Sequence, residues 1–176
     1  MNNWSNFYNI SNPDINHSCG YHDISPFSPD EKHLVFCSVS SKEFHENKIF
    51  SKNNLEVYVN IISLDDLKIK NIFKSKCYTL EQGIRINWID NIRITINGID
   101  KNKLPEFTIF NIKEMKIEKV IKNYFCHQIS GDNNQFCTSL DYSNIHKVWP
   151  SYGFNHEETL SQPSNTLNVY NWKKNK

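Results

Sequence analysis

The feature that most constrains the fold is a tight turn between two apolar runs. Residues 28–32 read Ser-Pro-Asp-Glu-Lys, and the apolar run 34–37, Leu-Val-Phe-Cys, follows almost at once. Pro29 presets φ for the first central position of a turn, and Asp30 can accept hydrogen bonds from the backbone N–H groups beyond it. Two strands joined by such a turn form a β-hairpin, so we expect antiparallel sheet on both sides of it.

A weaker copy of this hairpin returns near the end of the chain. Ser28 and Asp30 correspond to Ser130 and Asp132, which lie 102 positions further on, and a related turn at Asp90 lies between them. Four strands per repeat, with a period near 40 to 50 residues, are typical of β-propeller blades. The expected strands are roughly 21–28, 33–40, 55–64 and 68–76; then 84–89, 92–97, 106–112 and 116–124; then 125–130 and 135–140, with 166–172 as one more.

Two segments allow another interpretation. Residues 113–123 are rich in Lys and Glu, so a helix is the alternative to a strand there. Residues 146–154, His-Lys-Val-Trp-Pro-Ser-Tyr-Gly-Phe, are expected to form a structured loop with aromatic anchors. The absence of alanine, together with many Ile, Val and aromatic residues, favours strands over long helices throughout the chain.

The expected fold is therefore all-β, a partial β-propeller of about three four-stranded antiparallel blades. We place the blades at about 21–80, 81–124 and 125–176, after an N-terminal arm or strand of an incomplete blade at 1–20. A propeller closes with about four to eight blades. Either the chain is a fragment of a longer propeller, or its open blade edges meet another chain.

The composition restricts the kinds of partner that the chain is expected to bind. The net charge is +1 and the basic residues are not concentrated except at 173–176, so nucleic-acid binding is not expected. A secretory signal and a run of 18 apolar residues are both missing, so we expect no membrane association and a cytoplasmic location. The five cysteines form no C-x-x-C pair and are interpreted as reduced core residues.

Three stretches carry a resemblance to a known family. They are 20–36, GYHDISPFSPDEKHLVF; 81–98, EQGIRINWIDNIRITING; and 127–145, HQISGDNNQFCTSLDYSNI, with the nearby WPSYGF at 149–154. In them the chain resembles TolB-like (WD40-like) β-propellers, whose blades carry S-P-D-G-K before an apolar strand. It is more similar still to a family of uncharacterised bacterial propellers, some associated with cell-surface polysaccharide gene clusters. Members of that family are longer, which implies a truncated propeller here.

The turn departs from the pattern of that family at two positions. Glu31 stands where the family usually has Gly, and Gly131 replaces the Pro of the repeat. If residue 31 has a positive φ, Glu costs roughly 1 kcal/mol there relative to Gly.

The candidate ligand-binding residues lie near the expected inner strands and in the aromatic loop. They are His22, Asp23, His127, Gln128, Trp149 and Tyr152. The first four precede equivalent turns in two blades and could converge at a central channel, although capping or solvent-facing histidines fit the same pattern. Sugar rings stack on aromatic faces, but aromatic residues also wedge propeller blades together. No catalytic residue, metal ligand or cofactor is assigned.

The expected function is a non-catalytic binding or scaffold module, connected with cell-surface polysaccharide metabolism through the resemblance. Its partner would be a carbohydrate or a protein at the propeller face or at an open blade edge. The alternative is a metal-dependent lyase or hydrolase that acts on an acidic glycan. A His/Gln metal cluster in a propeller resembles the site of oligogalacturonate lyases, in which a divalent metal assists β-elimination of a uronate. A degraded gene product without independent function is the third possibility.

Overall fold

The computed structural model describes residues 15–20, 22–40, 56–79, 81–149, 152 and 167–174. Within these ranges the chain forms eleven strands and a seven-residue helix, α1 (Tyr142–Val148). The strands are β1 (Ile15–Ser18), β2 (His33–Ser40), β3 (Val57–Ser63), β4 (Ile69–Ser75), β5 (Asn87–Trp88), β6 (Arg93–Ile99), β7 (Pro105–Asn111), β8 (Lys116–Lys122), β9 (Gln128–Ser130), β10 (Phe136–Ser139) and β11 (Asn168–Asn171).

The strands form three antiparallel sheets in chain order. Sheet 1 has the order β1-β2-β3-β4, sheet 2 has the order β5-β6-β7-β8, and sheet 3 has the order β11-β10-β9. Each four-stranded sheet is a meander of sequential neighbours, as in a propeller blade. The prediction of an all-β, partial propeller fold of three antiparallel blades is confirmed, except that the third sheet has three strands, not four, in the described residues. None of the helices in the described ranges is long and apolar enough to cross a membrane.

The sheets stack face to face through side chains that alternate along each strand. On β3, Val57, Val59 and Ile61 point to the space shared with sheet 2. On β7, even-numbered Phe110 belongs to that same core, whereas odd-numbered Phe107 packs towards sheet 3. Sheet 2 is therefore apolar on both faces, because it has a blade on either side.

A buried amide ties the sheets together at one end. Asn97 on β6 is fully buried, and its Nδ2 donates to the carbonyl oxygens of Ile84 (3.0 Å) and Cys126 (2.9 Å). The backbone N–H of Cys126 donates to Asn97 Oδ1 at 2.7 Å, and Ser75 Oγ at the end of β4 donates to the Asn97 carbonyl at 2.7 Å. One asparagine thus satisfies backbone groups on the connections that enter sheets 2 and 3.

Most strand predictions agree with the structure, including β8, which is a strand over Lys116–Lys122 and not a helix. The predicted inner strand of sheet 1, 21–28, is wrong; the first strand of this sheet is β1, Ile15–Ser18. Residues 22–27 bend, and Ile24 and Phe27 make isolated β-bridges in place of a strand; Phe27 pairs with Leu34. Proline lacks a backbone N–H, so Pro26 and Pro29 disfavour a continuous ladder in this stretch.

Three further expectations need correction. The inner strand of sheet 2 is only Asn87–Trp88, not 84–89, because Arg85 just before it has φ of 53°, outside the β region. The loop expected at 146–154 begins inside α1, while residues 150–151 and 153–154 lie outside the described ranges. Four of the cysteines are buried, as expected, but Cys19 is exposed.

The hairpin turn of sheet 1 has the geometry that its sequence indicates. Ser28 Oγ donates to Asp30 Oδ1 at 2.7 Å, and the backbone N–H of Lys32 donates to the same oxygen at 3.3 Å. Glu31 has φ of 56°, in the left-handed region. The equivalent residue of sheet 3, Asn133, has φ of 59°.

Replacing Glu31 by Gly is expected to stabilise the protein, because Gly adopts this φ without steric cost. We expect the free energy of unfolding to rise by about 1 kcal/mol and Tm to rise by about 2 to 4 °C, measured by thermal and urea denaturation. Asn133→Gly is the matched control, and its gain should be smaller since Asn tolerates a positive φ. A lower Tm for the Glu31→Gly variant would contradict the strain assigned to this residue.

Candidate functional site

The centre of the candidate site is the guanidinium group of Arg85, whose side chain is 1 % exposed. Its Nη2 donates to Asp23 Oδ2 at 2.8 Å, its Nη1 donates to Gln82 Oε1 at 2.6 Å, and its Nε donates to the carbonyl oxygen of His127 at 3.2 Å. All three nitrogens therefore have partners, as a buried charge requires.

The partners of Arg85 come from three different connections of the chain. Asp23 lies between β1 and β2, Gln82 lies between sheets 1 and 2, and His127 lies between sheets 2 and 3. The positive φ of Arg85 turns its backbone just before β5. Asn87 Nδ2 reinforces this turn by donating to the carbonyl oxygen of Arg85 at 3.1 Å. A strained residue held by its surroundings is common where a site is built.

An open cavity of about 380 Å³ lies beside this network. It is lined by Gln82, His127, Leu140, Tyr142, Ile145, Trp149 and Tyr152. Tyr142, Ile145 and Trp149 reach it together because they are spaced at three and four residues along α1 and the residue that follows. The cavity is mainly apolar, with the polar atoms of His127, Tyr142 and Gln82 at its border.

The imidazole of His127 contacts the phenol of Tyr142, with 2.5 Å between Nδ1 and Oη. Burial and the nearby Arg85 charge lower the pKa of His127 to about 4, against a weaker opposing effect of Asp23. Burial raises the pKa of Tyr142 well above its ordinary value. At neutral pH the ring is therefore neutral and the phenol keeps its proton, so the contact is an uncharged hydrogen bond.

The carboxyl group of Asp23 is ionised at neutral pH. Burial opposes its ionisation, but the hydrogen bond and the charge of Arg85 outweigh that effect and hold the pKa of Asp23 below its ordinary value. The pair Asp23–Arg85 brings no net charge to the network. The cavity is therefore bordered by the neutral imidazole of His127, and the neighbouring ion pair of Asp23 and Arg85 carries no net charge.

The six candidate residues do not meet at one point. His127, Trp149 and Tyr152 line the cavity, and Asp23 is connected to it through Arg85. Gln128 is exposed and borders a second depression, together with Asp23. His22 is exposed and does not line the cavity that holds His127.

The metal-dependent alternative needs a set of ligands brought together in space. In the part of the chain that the structure describes, no group of three or more His, Cys, Asp or Glu side chains is placed to hold a metal ion. That alternative therefore stays a prediction that rests on the resemblance.

Three polar residues of this site are not among the candidates predicted from the sequence: Gln82, Arg85 and Tyr142. Arg85 had a signal, since it is one of only two arginines and interrupts the apolar run 84–89. The sequence contains no comparable signal for Tyr142 or Gln82. Neither residue belongs to a recognisable motif, and only the fold shows which residues lie beside them.

Part of the chain is similar to a solved structure. The chain is similar to the solved β-propeller domain of the Trilobed protease from Pyrococcus furiosus, which has an open velcro topology; the identity is 17%, the TM-score is 0.42, and the match covers 64% of this chain. The chain spans about a third of that solved structure, 32%. No protein-family model and no curated protein matches the chain. Membership of the TolB-like or WD40-like family remains a prediction.

Replacing Arg85 by Gln should strongly destabilise the fold, because it leaves Asp23 and the His127 carbonyl without their buried partner. We expect the free energy of unfolding to fall by about 2 to 4 kcal/mol in urea denaturation. The control is Arg93→Gln, since Arg93 pairs with Asp90 at a partly exposed position and should cost about 1 kcal/mol or less. Equal losses in the two variants would show that Arg85 has no special structural role.

The stability of the protein should fall as the pH drops from about 6.5 to about 4. The pKa of His127 is about 4 in the folded chain and near 6.5 when unfolded, so the unfolded chain takes up the proton first. This group should remove about 1 to 2 kcal/mol over that range, since partial exposure screens the effect. Urea denaturation at several pH values checks this: His127→Gln should flatten the dependence, and an unchanged slope would contradict the prediction.

Proposed function

We propose that the chain is a non-catalytic binding module that holds an uncharged sugar ring in the cavity beside α1. The observation that carries this proposal is the convergence of Tyr142, Trp149 and Tyr152 with the imidazole of His127 on one space. A cavity of about 380 Å³ falls within the range of small-molecule sites, about 300 to 1,000 Å³.

The chemistry of the lining suits an amphipathic ring. A sugar presents C–H groups on one face, which pack on an aromatic ring, while its hydroxyl groups stay in water or meet a few polar atoms. The side chain of Trp149 is about two-thirds exposed and Tyr152 is also exposed, so both can cover a ligand from the solvent side. His127 and Gln82 supply hydrogen bonds at the inner end of the cavity.

The charge of the lining favours a neutral ligand. Among the described residues that border the cavity there is no Lys, Arg, Asp or Glu. The buried Arg85 is already bonded to Asp23 and cannot meet a ligand carboxylate without losing that pair. A charged group placed here would lose hydration without a partner, so a uronate is disfavoured relative to a neutral sugar.

The connection with cell-surface polysaccharide metabolism follows from the resemblance to propellers of such gene clusters. A neutral sugar site is consistent with that setting, since a propeller without catalysis can retain or present a glycan. Protein contacts at the open blade edges belong to the same proposal as its scaffold part.

Binding of neutral monosaccharides and oligosaccharides tests the proposal. We expect saturable binding in isothermal titration calorimetry and saturation-transfer NMR, with the matching uronates binding more weakly. Trp149→Ala should weaken binding by about tenfold, which corresponds to about 1.4 kcal/mol of lost stacking.

The matched control is Tyr58→Ala, which removes an exposed aromatic side chain from sheet 1, away from the cavity. This variant should bind like the unaltered protein. Failure of every neutral sugar to bind, or the same loss in both variants, would contradict the proposed site.

A further inference from the structure

Arg85 determines which hydrogen-bonding atoms the inner end of the cavity beside α1 presents. Arg85 Nη1 lies 2.6 Å from Gln82 Oε1, and arginine has no acceptor atom, so the carbonyl side of the Gln82 amide must face the guanidinium. The amide nitrogen of Gln82, Nε2, is therefore the atom of that group left for other partners. Gln82 is half-buried and borders the cavity, so this nitrogen offers its N–H donors there.

The imidazole of His127 adds a second donor at the border of the cavity. Its Nδ1 lies 2.5 Å from Tyr142 Oη. A phenol O–H is a stronger donor than a neutral imidazole N–H, and an imidazole nitrogen is a stronger acceptor than a phenol oxygen, so the hydroxyl donates and Nδ1 accepts. A neutral imidazole carries one ring proton, which is then on Nε2. The ring nitrogen that does not contact Tyr142 is therefore a donor.

The acceptor atoms of the described side chains at this end of the cavity are already in use. Gln82 Oε1 accepts from Arg85, and His127 Nδ1 accepts from Tyr142. Tyr142 is 1 % exposed, so its oxygen has almost no surface to offer a ligand. A ligand hydroxyl placed here would bury its own proton without an acceptor, which is costly. A carbonyl oxygen has two lone pairs and no proton, so it fits two donors better.

An apolar surface belongs to the same cavity as these donors. Leu140, Ile145 and the indole of Trp149 line it. A methyl group beside the carbonyl would be removed from water against the two aliphatic side chains, a gain that a hydroxyl group does not make. An acetyl group has both parts, a carbonyl oxygen and a methyl group on one carbon atom.

We propose that the sugar held in this cavity carries an acetamido group, as in a 2-acetamido hexose. The carbonyl oxygen of that group accepts hydrogen bonds from Gln82 Nε2 and His127 Nε2, and its methyl group packs on Leu140 and Ile145. The sugar ring lies against Trp149 on the solvent side. The acetamido group is uncharged, so it enters a lining without charged side chains at no cost in unpaired charge. This inference rests on the proposed function of the same cavity and names the class of sugar.

Calorimetric titration with N-acetylglucosamine and N-acetylgalactosamine, compared with glucose and galactose, tests this inference. We expect each acetamido sugar to bind at least about tenfold more tightly than its parent hexose. Equal affinities would overturn the acetamido group and leave the proposed sugar site standing. Binding of no sugar at all would overturn the proposed function and this inference with it. In ¹H–¹⁵N spectra of the imidazole of His127 the ring proton should be on Nε2, and a proton on Nδ1 would overturn the donor pattern.

The variant Gln82→Glu keeps an oxygen for Arg85 and removes the N–H donors, so the fold should be retained. It should bind the acetamido sugars at least about tenfold more weakly, with little change for glucose, whose hydroxyl groups can donate to the new carboxylate. Gln135→Glu is the matched control, because it makes the same change at a half-buried glutamine that does not border the cavity. Equal weakening in the two variants, or equal weakening for glucose and the acetamido sugars, would overturn the donor role of Gln82 and the inference.

Discussion

The buried guanidinium of Arg85 is the contact on which the arrangement of the three sheets depends. It binds Asp23, Gln82 and the carbonyl of His127, and each of these lies on a different connection between strands. A guanidinium can do this because its five N–H donors spread in a fixed plane and its charge does not titrate. Asn97 repeats the principle with a neutral amide that bonds the backbone before β5 and before β9. Hydrogen bonds require a defined geometry. These polar contacts therefore fix the position of each blade relative to the next more closely than apolar packing alone would.

The same network determines the character of the cavity beside α1. Because Asp23 neutralises Arg85, the positive charge that lowers the pKa of His127 is not available to a ligand. The cavity therefore offers aromatic faces and uncharged hydrogen bonds.

Much of the fold could be predicted because strand signals are local. The β-branched and aromatic runs of β3, β6 and β7 and the Ser-Pro-Asp turn each depend on a few neighbouring residues. The position of β1 could not be predicted, since its pairing with β2 joins segments far apart in sequence and its four residues carry little apolar signal. Helix α1 was also missed, because seven residues are too few for a periodic pattern to stand out.

The candidate site was likewise only partly predictable from the sequence. The sequence by itself determined that the chain is built from repeated antiparallel blades and that His127, Trp149 and Tyr152 were worth considering as ligand contacts. Only the tertiary structure decided that these three share a cavity, that His22 does not join them, and that Arg85 and Tyr142 complete the surroundings. The physical reason is that hydrogen bonds and burial act between residues 40 or 60 positions apart, where spacing in the sequence carries no information about distance. The hairpin turn is local and is visible in the sequence; the site is not.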